Sequence, residues 1–366
     1  MAFFSLTSPG QKPHGAHLGK KHQIRPMPHC SIIIAKRSWN MTVAALKSVQ
    51  INPVHAGYFA DPFVWKVGDI YYAIGTGKAE AEGRIAGKVF PILRSTDFVE
   101  WQFGTSALVR PDHSLGNNFW APAVVELDGT FYLYYSVGHG DQNHQLRVAA
   151  SEAPQGPYED LGKPLLDPAG CPFAIDPHPF KDDDGKWYLF YATDFLDCSH
   201  GNRAGTALMV SPMKTMTELD AQAITVLRAR SDWQRFQQRR VMYDQIWDWH
   251  TLEGPCVKKH DGHYYCFYSG GRWETDNYGV DYGIAQRVTG PYSDQGSESG
   301  PRVLRTIPGH VLGPGHNSVI TGPDNETDYI VYHAWDKGMN ARRMFIDRLI
   351  WTGEGPRCDG PTFSER

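Results

Sequence analysis

The 366-residue sequence has no run of about 18 apolar residues, the length a membrane-spanning helix requires. The apolar stretch Ser31-Ile32-Ile33-Ile34-Ala35 is too short for a signal-peptide core and has no cleavage pattern after it. A cytoplasmic protein with no membrane partner is therefore expected. The 36 Lys and Arg residues never cluster beyond a pair or two and the formal net charge is −4, so the basic face of a nucleic-acid binder is missing. Six cysteines stand far apart without a CxxC pair, which argues against a zinc knuckle or a dense disulfide frame and for buried free thiols. Sustained helical periodicity is scarce as well.

What the sequence has in quantity is turn residues and aromatics: 37 Gly, 25 Pro and 13% Phe, Trp and Tyr. They are organised in a recurring hairpin unit. A short apolar strand meets a Gly-Asp, Asp-Gly or similar turn and returns as an aromatic-rich alternating strand. The copies are DPFVWKVGDIYYAIGTG from Asp61, APAVVELDGTFYLYYSVG from Ala121, DPHPFKDDDGKWYLFYATD from Asp176, GPCVKKHDGHYYCFYSGG from Gly254 and NSVITGPDNETDYIVYHAWD from Asn317. Each is followed by further alternating strands, such as PILRSTDFVEWQ at 91–102 and RRMFIDRLIWTG at 342–353. Five copies about 55 to 80 residues apart predict an all-β fold, a five-bladed β-propeller of four-stranded antiparallel blades. Residues 51–366 form this propeller in the prediction. Residues 1–50, without sustained period, read as a disordered or loosely packed extension. The interval from Leu219 to His250 breaks the spacing and reads as a loop over the central funnel.

In a propeller the innermost strands line the axis, so the residues where they begin converge on one mouth. Those residues are Asp61, Ala121, Asp176, Glu253 and the segment Gly315-His316-Asn317-Ser318. Three carboxylates near one axis repel one another and lose hydration, a cost that points to use. Glycoside hydrolysis needs two carboxyl groups, one protonated and one ionised, and a third charge nearby raises the pKa of the acid. Taken singly, Asp61-Pro62 and Asp176-Pro177 also read as plain strand openings. Glu253-Gly254-Pro255 has no such turn role, and the three together favour catalysis.

The runs Tyr58-Phe59-Ala60-Asp61-Pro62, Trp120-Ala121-Pro122, Ile175-Asp176-Pro177, Leu252-Glu253-Gly254-Pro255 and Gly313-Pro314-Gly315-His316-Asn317-Ser318 resemble glycoside hydrolase family 43, in order and spacing, across residues 52–355. The resemblance implies an inverting mechanism with Asp61 as general base, Glu253 as general acid and Asp176 tuning and orienting Glu253. It implies no cofactor for the chemistry. His316 matches the family's axial histidine, which in several members sits beside a calcium or sodium ion; the other reading is a core histidine holding a carboxylate. Trp120 is a candidate sugar platform, and Phe59 and Trp247 are further candidate substrate contacts. Arg343 matches the late-blade arginine that contacts substrate hydroxyls. Period-two geometry lets only one of Arg342 and Arg343 face the funnel, and Arg343 is the choice.

Similar proteins act on α-L-arabinofuranosides or β-D-xylosides. The GPGHNSVI and YHAWD segments look like those of arabinanases and arabinofuranosidases, so α-1,5-arabinan or arabino-oligosaccharides are the expected partners. A β-xylosidase, bifunctional or not, is the alternative. A non-catalytic carbohydrate-binding propeller is the alternative of another class, disfavoured because binding alone needs no proton donor opposite a base.

Overall fold

The computed structural model describes residues 51–78, 87–220 and 222–363, so the expectation for residues 1–50 lies outside the described residues. The fold is the five-bladed propeller. Blade one comprises Ala60–Val67, Ile70–Thr76, Lys88–Ser95 and Gln102–Val109, paired in that order. Blade two comprises Asn118–Leu127, Thr130–His139, Gln142–Ser151 and Glu159–Pro164, and blade five Leu312–Thr321, Asp328–Trp335, Arg342–Thr352 and Gly355–Cys358. Blade three pairs Ala174–Lys181, Trp187–Phe195 and Gly205–Thr215, with short strands Glu218–Leu219 and Ile224–Leu227 on its outer edge. Blade four pairs the latter part of Gln245–His260 with His263–Gly270 and Gly279–Ala285. Its outer edge is made by isolated bridges, Val280 to Leu304 and Ile284 to Ser293, in place of a regular fourth strand.

Aromatic and aliphatic residues that alternate along the strands pack between blades, because a single sheet cannot bury both its faces. Each of the five hydrophobic clusters fills one inter-blade space. The seam between the first and last blades packs Phe59, Val64 and Tyr71 on Val331, Met344 and Ile346. There the backbone amides of Val54 and Phe59 donate to the carbonyls of Met344 and Arg342. The five cysteines among the described residues are free as expected, but only Cys256 and Cys266 are buried; Cys171 and Cys358 are half-buried and Cys198 is exposed.

Every inner strand is bulged at the same place. Asp61, Ala121, Asp176, Gly254 and His316 all have left-handed backbones, with φ between 47° and 59°. At each, the pairing register with the second strand skips. Four are followed by Pro, at 62, 122, 177 and 255, which has no amide hydrogen for the ladder it leaves. A left-handed non-glycine residue costs about 1–2 kcal/mol, so four of them in one ring must be held from outside. At four of the five bulges the preceding blade accepts a hydrogen bond from the bulge amide. Ala121 N–H donates to Thr76 Oγ1 at 2.9 Å, Gly254 N–H to Asp176 Oδ2 at 2.9 Å, His316 N–H to Ser269 Oγ at 2.7 Å, and Asp61 N–H to His333 Nδ1 at 3.1 Å. The bulges turn the ring of side chains into the mouth of the funnel.

The interval before Glu253 corrects the expectation of a loop. Arg235–Met242 and the start of Gln245–His260 form an antiparallel hairpin turning at Tyr243 and Asp244, both at positive φ. Its tip is tied to blade two by the Arg240–Asp141 ion pair and to blade three by Tyr243 OH donating to Asp194 Oδ2 at 2.8 Å. Neither turn residue is Gly or Asn, so the usual sequence mark of such a turn is absent.

Candidate active site

A cavity of about 280 Å³ opens where the inner strands begin, and all five blades contribute to its wall. Asp61, Asp176, Glu253 and His316 come from the inner strands of blades one, three, four and five, and Trp120 from that of blade two. Asp61 and Asp176 are themselves the left-handed residues of their bulges. Glu253 stands one position before its own, Gly254, so its longer side chain reaches the cavity from a different backbone position. A Cβ on Gly254 would meet the His316 ring at 3.1 Å.

On the side of blades one and five, Asp61 is surrounded by nitrogen. Arg342 Nη1 lies 3.1 Å from Asp61 Oδ1, His333 Nδ1 3.2 Å and His316 Nδ1 3.5 Å. Burial alone pushes the Asp61 carboxyl up, but the Arg342 guanidinium outweighs it and holds Asp61 well below the usual carboxylate range. Arg342 is fixed by donating through Nε and Nη2 to Tyr58 OH, at 3.0 and 2.7 Å, and by lying 4.4 Å from the centre of the Trp273 ring. Burial pushes His333 down to about 4 and lowers His316 as well, so both rings are neutral near pH 7.

On the side of blades three and four, among the described residues, no Lys or Arg pairs with Asp176 or Glu253. Asp176 Oδ2 accepts the Gly254 amide, and Glu253 Oε1 accepts the Tyr278 hydroxyl at 2.6 Å. Burial, then the charges of Glu253 and Asp61, push Asp176 well above its ordinary value. Burial, assisted by Asp61 and opposed by the Tyr278 hydrogen bond, pushes Glu253 up to about 7. Asp176 and Glu253 titrate as one unit that retains a proton at neutral pH. The cavity thus offers an ionised carboxylate that can accept a proton and a protonated carboxyl that can give one.

Residues 51–356 match the sequence profile of glycosyl hydrolases family 43. The chain belongs to that family. A beta-D-galactofuranosidase of Aspergillus niger is 30% identical, over 83% of this chain and 83% of its own. An extracellular exo-alpha-(1->5)-L-arabinofuranosidase of Cellvibrio japonicus is 26% identical, over 82% of this chain and 86% of its own. A solved thermostable family-43 glycoside hydrolase superposes with a TM-score of 0.71 at 29% identity, covering 86% of this chain and 97% of that one.

Family 43 membership makes a carbohydrate the substrate, and the geometry sorts the residues expected to meet it. Trp120 lines the cavity, its rear face stacked on His144 at 3.8 Å between ring centres. Arg343 does not: it pairs with Asp336 at 3.0 Å, and Arg342 is the arginine that faces the funnel. The register decides this, for Arg342 is paired with Trp335 and Arg343 with Ala334, which places them on opposite faces. Phe59 is fully buried in the seam between blades one and five, and its neighbour Tyr58 reaches the cavity instead. Trp247 lies on the hairpin, its Nε1 donating to Met242 O at 3.1 Å, and takes no part in the cavity wall. Sequence reasoning missed Tyr58, Trp273, Tyr278 and His333. A signal for two of them exists: second strands run antiparallel to the first, so their ends return to the same mouth, where His333 and, just beyond Gly270, Trp273 stand.

For the ion expected beside His316, the described residues provide no group of three or more His, Cys, Asp or Glu side chains arranged to hold one. His316 Nδ1 is turned toward Asp61 and, at 4.0 Å, toward Asp176 Oδ2. The donor set does not fit a directly coordinated metal, and no chemical step is derived through one.

Proposed function

We propose that this protein is an inverting glycoside hydrolase that releases α-L-arabinofuranosyl groups from α-1,5-arabinan or arabino-oligosaccharides. Its base is Asp61 and its acid Glu253. The observation that carries the reading is the contrast between two carboxyls on one cavity, Asp61 with the Arg342 guanidinium 3.1 Å away and Glu253 with the Tyr278 hydroxyl at 2.6 Å. Asp61 accepts a proton from water as the water attacks the anomeric carbon, while the Glu253 proton passes to the leaving oxygen. Asp176 holds the Gly254 amide, which fixes the backbone next to Glu253, and shares the titration that keeps the acid protonated. Trp120 supplies an apolar face for the sugar ring.

One observation favours a second substrate. A recess of about 80 Å³ between blades one and two shares Thr76, Gly77, Asn118 and Trp120 with the main cavity. α-L-Arabinofuranose and β-D-galactofuranose have the same ring configuration, the latter carrying a longer exocyclic arm, and the recess is placed to receive it. Hydrolysis of p-nitrophenyl α-L-arabinofuranoside, β-D-galactofuranoside and β-D-xyloside, with linear 1,5-arabinan and the Glu253→Ala protein beside them, tests both readings. Arabinofuranoside turnover that gives the inverted anomer first, by proton NMR, is expected, with cleavage of linear 1,5-arabinan lost in Glu253→Ala and the aryl glycosides much less affected. Preference for the galactofuranoside would establish the second reading. Xyloside preference, a retained anomer, or no turnover by folded protein would overturn the arabinofuranosidase assignment.

A further inference from the structure

We propose that Tyr278 is a positioning residue that selects which oxygen of Glu253 carries the proton and stabilises the carboxylate left when that proton departs. This rests on Glu253 being the acid proposed above. Tyr278 lies at the end of the connection between the second and third strands of blade four and is 1% exposed. Its hydroxyl donates to Glu253 Oε1 at 2.6 Å, a short bond for a hydroxyl donor. An oxygen that accepts this bond acts as the carbonyl oxygen of the protonated carboxyl, so the acidic proton resides on Oε2.

Blade five constrains the placement of the Tyr278 ring. One face is parallel to His333, with ring centres 5.9 Å apart and 10° between planes. Gly315 lies against the ring so closely that an added Cβ would come within 2.1 Å of Tyr278 Cε1. His333 in turn contacts Asp61. One stacked pair therefore reaches both residues: His333 accepts the Asp61 amide and Tyr278 donates to the Glu253 carboxyl.

As the reaction proceeds, the Oε2–H bond breaks, the proton goes to the leaving oxygen and the glycosidic C–O bond cleaves. The negative charge gained by Glu253 spreads over both its oxygens, and the Tyr278 hydrogen bond changes from neutral to charge-assisted, roughly doubling in strength. A bond that strengthens along the reaction lowers the barrier rather than merely tightening the ground state. Tyr278 also makes Glu253 a stronger acid than burial alone would leave it, since its hydrogen bond opposes the upward push.

The test is Tyr278→Phe, which keeps the ring and removes the donor. On an arabino-oligosaccharide, whose leaving group needs a proton, kcat/KM is expected to fall roughly 10- to 100-fold. On p-nitrophenyl arabinofuranoside, whose leaving group does not, the loss is expected to be severalfold at most. The basic limb of the pH profile is expected to move up by roughly half to one unit, because a donor to the carboxylate has been lost. Gly315→Ala keeps the hydroxyl but displaces the ring, and the same upward movement is expected. Equal losses on both substrates with an unmoved basic limb would overturn the proposal and leave Tyr278 a packing residue. Full activity of Glu253→Gln on the oligosaccharide would remove the acid assignment itself. Independent of turnover, the 13C-labelled Glu253 carboxyl, identified by its loss in Glu253→Gln, should titrate at higher pH in Tyr278→Phe; an unchanged midpoint would also overturn the proposal.

Discussion

The two sides of the cavity hold the same functional group in opposite states. Asp61 has a guanidinium 3.1 Å away, whereas Asp176 and Glu253 have an amide and a hydroxyl. Asp61 and Asp176 are buried and Glu253 is half-buried, and the loss of hydration pushes all three upward. Magnitudes decide the outcome. An opposite charge at about 4 Å is worth roughly 4 kcal/mol at an effective dielectric near 20, about three pKa units, enough to reverse burial. A hydrogen bond contributes about 0.5–1.5 kcal/mol, on the order of one unit, which tempers burial without reversing it. One arginine, not the choice of Asp or Glu, separates base from acid.

Moving that arginine should break the contrast most completely. Arg342→Leu leaves Asp61 buried without its cation, so its carboxyl is expected to rise into the range where it is protonated. We expect kcat/KM to fall by about 10³-fold or more and the acidic limb of the pH profile to shift upward; an unmoved acidic limb would count against Arg342 as the source of the asymmetry.

Glu253→Gln removes the other pole. A loss of about 10² to 10⁴-fold is expected on natural linkages, with aryl glycosides much less affected. The same substitution should stabilise the fold at alkaline pH. The folded-state pKa of Glu253, about 7, lies above its ordinary value of 4.5. Its contribution to stability is therefore complete below about pH 4.5 and is lost as pH rises through about 7. Ionising it at pH 8 costs at most on the order of 3 kcal/mol, a cost the neutral amide avoids. Thermal unfolding should show Glu253→Gln above the native protein at pH 8, with the gap closing toward pH 5; a constant gap would contradict the shifted pKa.

Asp176→Asn should sharpen the comparison more mildly. It removes a like charge from beside Glu253, so the basic limb is expected to move down, opposite to Tyr278→Phe, with a smaller rate loss than Glu253→Gln. The two directions can be read from the same set of pH profiles. Smallest of all is Arg343→Ala. A partly exposed pair with Asp336 is worth about 0–1 kcal/mol, and activity within about twofold of native is expected. A large loss would return Arg343 to the substrate.

Where sequence and structure agree, the information was local and repeated. The five hairpin units announce the propeller, and each mouth residue stands at the bulge of its unit or one position before it, so Asp61, Asp176, Glu253, Trp120 and His316 could be gathered from the sequence. What escaped depended on parity or on distant pairing. Tyr58 or Phe59, and Arg342 or Arg343, are neighbours on extended chain, and only the register with Trp335 and Ala334 shows which faces inward. Tyr278 sits in a connection, with no repeat to mark it, and its partners Glu253, Gly315 and His333 come from two blades. The hairpin carrying Trp247 was hidden because Tyr243 and Asp244 adopt a turn usually signalled by Asn-Gly.

Asn52 has a consequence for how such a ring comes to exist at all. Its side chain donates to Ile346 O, Asp347 Oδ2 and Thr362 Oγ1, and its Oδ1 accepts the Ile346 amide, across separations of 294 to 310 residues. Contacts between the two ends of a chain are the slowest to search for, since little is gained until most of the chain is in place. The blades can assemble in sequence from nearby segments, but the circle is completed only when the first blade finds the last. Hydrogen exchange should then find the Ile346 amide opening before the blade interiors, which would identify the seam as the place where the molecule begins to come apart.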